Sequence, residues 1–252
     1  MKFIRFQKGE DIYYGMINGQ RIKGLDGDIY SNYGLTNREY FLDEVEVLPP
    51  SDPSKIVCVG LNYKDHAKEL EMELPEDPII FLKPNTTIIS GGEAIKYPIA
   101  SKRVDYEAEL AVIIKDDVKN LSKEEVKDYI LGYTCFNDIT ARDLQAKDGQ
   151  WSRAKSFDTF APVGPIISTG IDPDNLKIEL IKNDIVKQSS NTSQMIFSID
   201  EIVAFISSIM TLRRGDIIAT GTPPGVGELR VGDKVEVRIE RVGSLVNTVV
   251  ED

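Results

Sequence analysis

Glu107 and Glu109 stand two residues apart in the stretch Val-Asp-Tyr-Glu-Ala-Glu-Leu that ends at Leu110. On a helix that spacing splays two side chains; on a strand it sends both to one face. The wholly apolar run Leu110-Ala-Val-Ile-Ile114 follows, as in a strand that enters a core. Two like charges at the mouth of a buried strand repel, which raises the pKa of one of them. A divalent cation resolves the repulsion, and ligation by carboxylates alone suits a hard ion such as Mg2+ or Mn2+. A solvated face or a charged edge strand is the ordinary alternative.

His66 is the only histidine, and Glu69 follows three residues later, so on a helix the two share a face. A carboxylate beside an imidazole orients it and raises its basicity, which is how a water molecule is activated. A surface helix rich in Lys and Glu accounts for the same spacing. Asp138 lies just past the apolar run 129–136, where it either joins Glu107 and Glu109 as a third carboxylate or caps a helix. Arg142 and Gln145 fall on one face of a helix starting there. Lys83 ends the apolar run 79–83 and is either snorkelling to water or aimed into a cleft. Lys155, among aromatic and small residues, suits a partly buried ammonium.

The elements that must position these residues read as mainly β with some α. Residues 1–48 form a small β unit, with a hairpin at Asn18-Gly19 and turns over 24–34. Leu48-Pro-Pro-Ser-Asp-Pro53 interrupts regular structure and divides the chain into 1–50 and 51–252. A buried strand over 55–60 leads to a helix with Asn62 as its N-cap. Residues 70–77 form a mobile cover. Ser122-Lys-Glu-Glu125 is a capping box that starts a short helix to about residue 127. The 151–160 stretch reads as loop. A hairpin turns at Asn183-Asp184, and a second capping box, Ser198 to Glu201, opens an amphipathic helix closed by Arg213-Arg214-Gly215. The loop Thr220-Gly-Thr-Pro-Pro-Gly-Val-Gly227 resembles a phosphate cradle but lacks the Lys-Ser/Thr of a Walker motif. A hairpin over 234–250 closes the chain.

At 252 residues the chain can bury a large core. No apolar run approaches the roughly 18 residues of a membrane span, and the N-terminus lacks the apolar stretch of a signal peptide. Cys58 and Cys135 each lie in an apolar segment and read as buried thiols of a reducing cytoplasm. The net charge of −11 argues against nucleic acid and anionic membranes as partners. An acidic substrate would need a local group of Lys and Arg.

Seven stretches, in order, resemble the fumarylacetoacetate hydrolase family: Val59-Gly-Leu-Asn-Tyr-Lys-Asp-His-Ala-Lys-Glu69, Ile80-Phe-Leu-Lys-Pro84, Asp105-Tyr-Glu-Ala-Glu-Leu110, Asp138-Ile-Thr-Ala-Arg-Asp143, Lys155-Ser-Phe-Asp158, Asn191-Thr-Ser-Gln-Met195 and Gly221-Thr-Pro-Pro-Gly-Val-Gly227. The resemblance implies a mixed β-roll catalytic domain, usually a homodimer. It implies that Glu107, Glu109 and Asp138 hold Mg2+ or Mn2+, with Ca2+ as a substitute. His66 and Glu69 would lie on a segment that folds over the site, with Lys155 beside them in catalysis. Lys83, Arg142, Gln145, Thr192 and Thr222 would surround the oxygens of a small 2-oxo acid. Some acylpyruvate-cleaving members carry arginine where this chain has Leu61. The expected reaction is hydrolytic C–C cleavage of an acylpyruvate through a metal-stabilised enolate, with His66 activating water. Decarboxylation of oxaloacetate and isomerisation of an unsaturated 2-oxo dioic acid use the same enolate. A metal-stabilised binding protein without turnover is the reading from another class.

Overall fold

The computed structural model describes residues 1–252. Its centre is the strand Ala108–Ile114, all seven of whose residues are buried. It pairs antiparallel with Ile130–Asn137 on one side and with Ile217–Ala219 on the other. Burial on both faces accounts for the unbroken apolar run that follows Glu109. Beyond Ile217–Ala219 the sheet continues through Ile56–Gly60 to the edge strand Ile79–Lys83. Beyond Ile130–Asn137 it continues through Ala161–Ser168 into the N-terminal strands. Lys2–Lys8 pairs directly with Ala161–Ser168, so residues 1–50 extend the large sheet.

A second sheet of five strands contains the two late hairpins and Ala94–Tyr97. Side chains of both sheets and of the helix Ile199–Ile209 join in one cluster of 37 buried residues, which makes the sheets a single packed unit. A third sheet is small: Thr140–Ala141, Val104–Tyr106 and Gly227–Leu229. This mainly β architecture with four α-helices agrees with the expected β-roll. No helix is long and apolar enough to cross a membrane.

The helices are α1 (Lys64–Glu69), α2 (Arg142–Asp148), α3 (Ser152–Lys155) and α4 (Ile199–Ile209). The Ser198–Glu201 capping box forms as expected, and α4 ends at Ile209, before Arg213. Other expectations need correction. The 24–34 stretch is not all turn: Arg21–Gly27 and Tyr33–Phe41 pair as strands, because cross-strand partners outweigh its Gly and Asp content. Ser122 and Glu125 do bond to one another, but the helix that follows is a 3-10 turn over Val126–Tyr129. The 151–160 stretch contains α3. The helix after Asp138 begins only at Arg142, since Thr140–Ala141 first pairs with Val104 and Asp105.

Asn62 does not cap α1; the residue at that position is Tyr63, with no capping side chain. The Asn62 side chain is buried and spans two loops instead. Its Nδ2 donates to Thr220 O at 2.8 Å and Phe197 O at 3.3 Å, and its Oδ1 accepts from Phe197 N at 2.9 Å. Carbonyls and an amide that face a fully buried amide side chain have a strong claim on it.

Candidate active site

The chain does not run as one strand through 104–110. It leaves the small sheet after Tyr106 and enters the large one at Ala108, so Glu107 lies at the crossing. Two side chains replace ladder partners there. Glu107 N donates to Asn137 Oδ1 at 3.0 Å, and Ala108 N donates to Gln188 Oε1 at 2.9 Å. Asp138 N donates to Glu107 O at 2.9 Å, which ties the end of Ile130–Asn137 to the crossing. Glu107, Glu109 and Asp138 thereby converge, with ligand oxygens within 4.8 Å of one another and all three residues buried.

Cations are unevenly shared among them. Lys155 Nζ donates to Glu107 Oε2 at 2.8 Å and to Asp138 Oδ2 at 2.6 Å. Arg142 Nη2 pairs with Glu107 Oε1, and its Nε donates to Asp105 Oδ2 at 2.9 Å. Lys83 pairs with Asp138 Oδ1 and donates to Ile139 O at 3.0 Å. Glu109 has no cationic partner; its Oε2 accepts from Gly221 N at 2.8 Å. Burial works against ionisation of Glu107, but Lys155 and Arg142 hold its carboxyl down at about 2. Burial, reinforced by Asp138 and Glu107, pushes the Glu109 carboxyl well above the ordinary carboxylate range. An all-oxygen, buried donor set with one uncompensated carboxylate fits a hard divalent cation.

That fit has a pH consequence. Glu109 holds a proton to higher pH than an ordinary carboxyl, and a ligand oxygen must lose its proton to bind metal. Divalent-ion affinity is therefore expected to rise with pH until Glu109 ionises, with proton release on binding. Titration with Mn2+ in buffers of different ionisation enthalpy measures that release. Equal heats in all buffers and a flat pH profile would contradict it.

A cavity of about 510 Å3 opens over the triad. His66, Arg142, Gln145, Lys155 and Thr222 line it, as the sequence leads one to expect, and so does Leu61. His66 Nδ1 lies 2.9 Å from Glu69 Oε2, and the carboxylate fixes Nδ1–H as the donor. Arg142 Nη1 donates to Gln145 Oε1 at 2.6 Å, the shared helical face made concrete. Thr222 donates from Oγ1 to Ala108 O at 2.9 Å.

Two expected substrate contacts are placed elsewhere. Lys83 is fully buried under Asp138 and does not line the cavity, so it aims inward at a carboxylate and not at a ligand. The Thr192 hydroxyl donates to Pro173 O at 2.6 Å and accepts from Leu176 N at 2.8 Å, away from the cleft. Sequence reasoning passed over Trp151, the sole tryptophan, which packs edge-on against Phe81 at 5.1 Å and leaves room for no side chain at Gly60. It also passed over Asp105, which holds both Arg142 and Arg103. A charge alternating with Glu107 in a buried strand was the available signal.

The segment over the cavity is held by polar contacts. Glu69 Oε1 accepts from Gly225 N at 3.0 Å, Asp65 bonds to Ser190, and Leu70 and Met72 cover the opening while staying half exposed. Only His66 and Ala67 are buried between residues 64 and 74, which predicts easy local opening. Oxalate, a chelating mimic of a 2-oxo acid, is expected to slow hydrogen exchange at residues 64–74 in the metal-loaded protein. Unchanged exchange there would show that the segment does not respond to the site.

Residues 55–250 match the family model described as fumarylacetoacetate (FAA) hydrolase C-terminal, and residues 1–50 match the model Rv2993c-like, N-terminal. An uncharacterized protein of Archaeoglobus fulgidus is 55% identical over 237 residues, 93% of this chain and 94% of that protein. The oxaloacetate tautomerase YisK of Bacillus subtilis is 44% identical over 225 residues, 83% of this chain and 75% of that protein. The 5-carboxymethyl-2-hydroxymuconate delta-isomerase from Mycobacterium smegmatis has the same fold, with a TM-score of 0.94 at 39% identity and 100% of both chains covered. Since the matched region carries the triad, the His66–Glu69 pair and the cavity between them, the chain belongs to the fumarylacetoacetate hydrolase family.

Proposed function

We propose that this protein is a divalent-metal-dependent enzyme that moves a proton on the carbon next to the 2-oxo group of a small 2-oxo acid, interconverting keto and enol forms. One observation carries this reading: the acidic triad and the His66–Glu69 pair open on the same cavity. Glu107, Glu109 and Asp138 would hold Mg2+ or Mn2+, which supplies Lewis acidity toward the substrate's oxygens. With Nδ1–H on Glu69, Nε2 of His66 is left with a lone pair and serves as the base. Lys155 and Arg142 offset negative charge that develops on the substrate, and Gln145 orients Arg142. Closure of 64–74 keeps water from the reacting carbon. A tautomerase and an isomerase are 44% and 39% identical to this chain, against 32% and 30% for two hydrolases of the same fold, which supports proton transfer over bond hydrolysis.

Hydrolytic C–C cleavage of an acylpyruvate is the second reading, and the His66–Glu69 pair favours it, because the same base can deprotonate water. Leu61 weakens it: that part of the wall is apolar and offers no cation. A panel of oxaloacetate, acylpyruvates and unsaturated 2-oxo dioates, assayed with Mg2+ and with Mn2+, separates the readings. Enol–keto exchange of oxaloacetate without acylpyruvate turnover is the expected result. Acylpyruvate cleavage as the fastest reaction would replace it with the hydrolytic reading.

A further inference from the structure

Lys155 stands against an aromatic ring as well as between carboxylates. Its Nζ lies over the face of Phe81, 5.0 Å from the ring centroid. An ammonium is drawn to the negative face of such a ring, most strongly where water is scarce. Lys155 is 2% exposed, so the contact is close to dry. The ammonium's hydrogen bonds go to Glu107 Oε2 and Asp138 Oδ2. Both carboxylates are proposed metal ligands, and a bound divalent ion draws on the same negative charge that holds the lysine. The Phe81 face is the hold that the ion does not share.

The ring is itself held in place. Phe81 stands on the edge strand Ile79–Lys83 and meets Trp151 edge-on, with ring planes 76° apart, a favoured geometry for two aromatic rings. Trp151 immediately precedes α3, and Lys155 N donates to Trp151 O at 3.0 Å, so indole and lysine leave the same helical turn. Behind the indole is Gly60, on the neighbouring strand Ile56–Gly60. A Cβ at Gly60 would lie 2.6 Å from Trp151 Cζ3 and 2.7 Å from Cη2. Gly60 does not adopt a positive φ, so the indole, and not the backbone, requires glycine there. Gly60, Trp151, Phe81 and Lys155 thus form a closed stack between two strands and a helix.

A lysine side chain is long and flexible, and a misplacement of about 1 Å can cost a catalytic group about a hundredfold. We propose that Phe81 and Trp151 are positioning residues. The Phe81 face, braced by Trp151 against Gly60, fixes the Lys155 ammonium where it meets the negative charge of the bound 2-oxo acid. This rests on the reading above that Lys155 offsets charge on the substrate.

Fluorination of Phe81 tests the proposal, because fluorine drains negative charge from the ring face and nearly keeps the ring's shape. Mono-, tri- and pentafluorophenylalanine at position 81 should lower the oxalate affinity of the Mn2+-loaded protein, and the rate of keto–enol exchange, step by step. The loss should reach about tenfold, the scale of a desolvated cation–π contact. Gly60→Ala should lower both by a similar factor and shift the emission of the sole tryptophan, since the new methyl displaces the indole. Gly60→Ala with Trp151→Phe makes room for that methyl and should recover part of the loss. Equal oxalate affinity and rate along the fluorinated series would overturn the proposal. A double variant no better than Gly60→Ala alone would remove Trp151 from it. Oxalate affinity that follows the ring charge, in a protein without keto–enol exchange, would uphold the positioning role and unseat the proton-transfer reading alone.

Discussion

Asp138→Ala is expected to destabilise the metal-free protein by about 3–5 kcal/mol, the cost of stranding a buried charge, and to abolish divalent-ion binding. From its spacing Asp138 looks like a ligand at the end of a strand, removable without harm to the fold. The structure gives it a second task. Lys83 is fully buried, and with Asp138 gone its ammonium would keep only Ile139 O. Burial already pushes the Lys83 ammonium down, so the variant would fold with Lys83 neutral or not at all. Lys155 would lose one of its two carboxylates as well. Lys83→Met combined with Asp138→Leu removes both charges and should recover most of the stability while binding no metal, because apolar groups of similar size replace buried ion pairs well. Urea midpoints and Mn2+ titrations of the three proteins measure both effects. A folded Asp138→Ala protein with an unchanged midpoint would show that Lys83 does not depend on Asp138; unchanged Mn2+ affinity would remove Asp138 from the triad.

His66→Ala is expected to lower the rate of keto–enol exchange by roughly 10²-fold or more, the usual scale for a lost general base, with Mn2+ and oxalate binding nearly unchanged. The imidazole hydrogen-bonds to Glu69 and to none of the three carboxylates, so its removal leaves the triad's own bonds intact. Acylpyruvate cleavage, where present, should fall as far, since water activation needs the same base. Decarboxylation of oxaloacetate needs no base and should fall least. Glu69→Gln should act more mildly on the rate and should also loosen the cover, because Glu69 accepts from Gly225 N as well as from His66. Equal losses in all three reactions would mean that His66 positions the cover and moves no proton. Full activity in His66→Ala would return the pair to an ordinary helix surface.

The elements and the chemistry they carry were largely legible because both are written locally. Alternation and unbroken apolar runs mark Ala108–Ile114 and Ile130–Asn137 whatever the rest of the chain does. The i,i+3 spacing of His66 and Glu69, and of Arg142 and Gln145, survives as two real hydrogen bonds. The Ser198–Glu201 box depends on four consecutive residues, and it forms. Where an outside partner competed, local reading failed: Asn62 has the chemistry of a cap, but Phe197 and Thr220 claim it.

The sequence by itself determined which residue types meet: three carboxylates, one imidazole with its carboxylate, and several cations. Only the tertiary structure decided how the charges are divided. Glu109 is the carboxylate without a cation because the register brings Lys155 and Arg142 to Glu107, while Gly221 N arrives at Glu109 from 112 residues away. Lys83 and Thr192 stay out of the cavity wall because Asp138 and Pro173 reach them first. The strand breaks at Glu107 because it changes sheets there, and Asn137 and Gln188 replace the lost ladder bonds. Spacing along a chain specifies the face a side chain leaves from. The partner waiting on that face is set by pairing across strands, and that is a property of the closed fold.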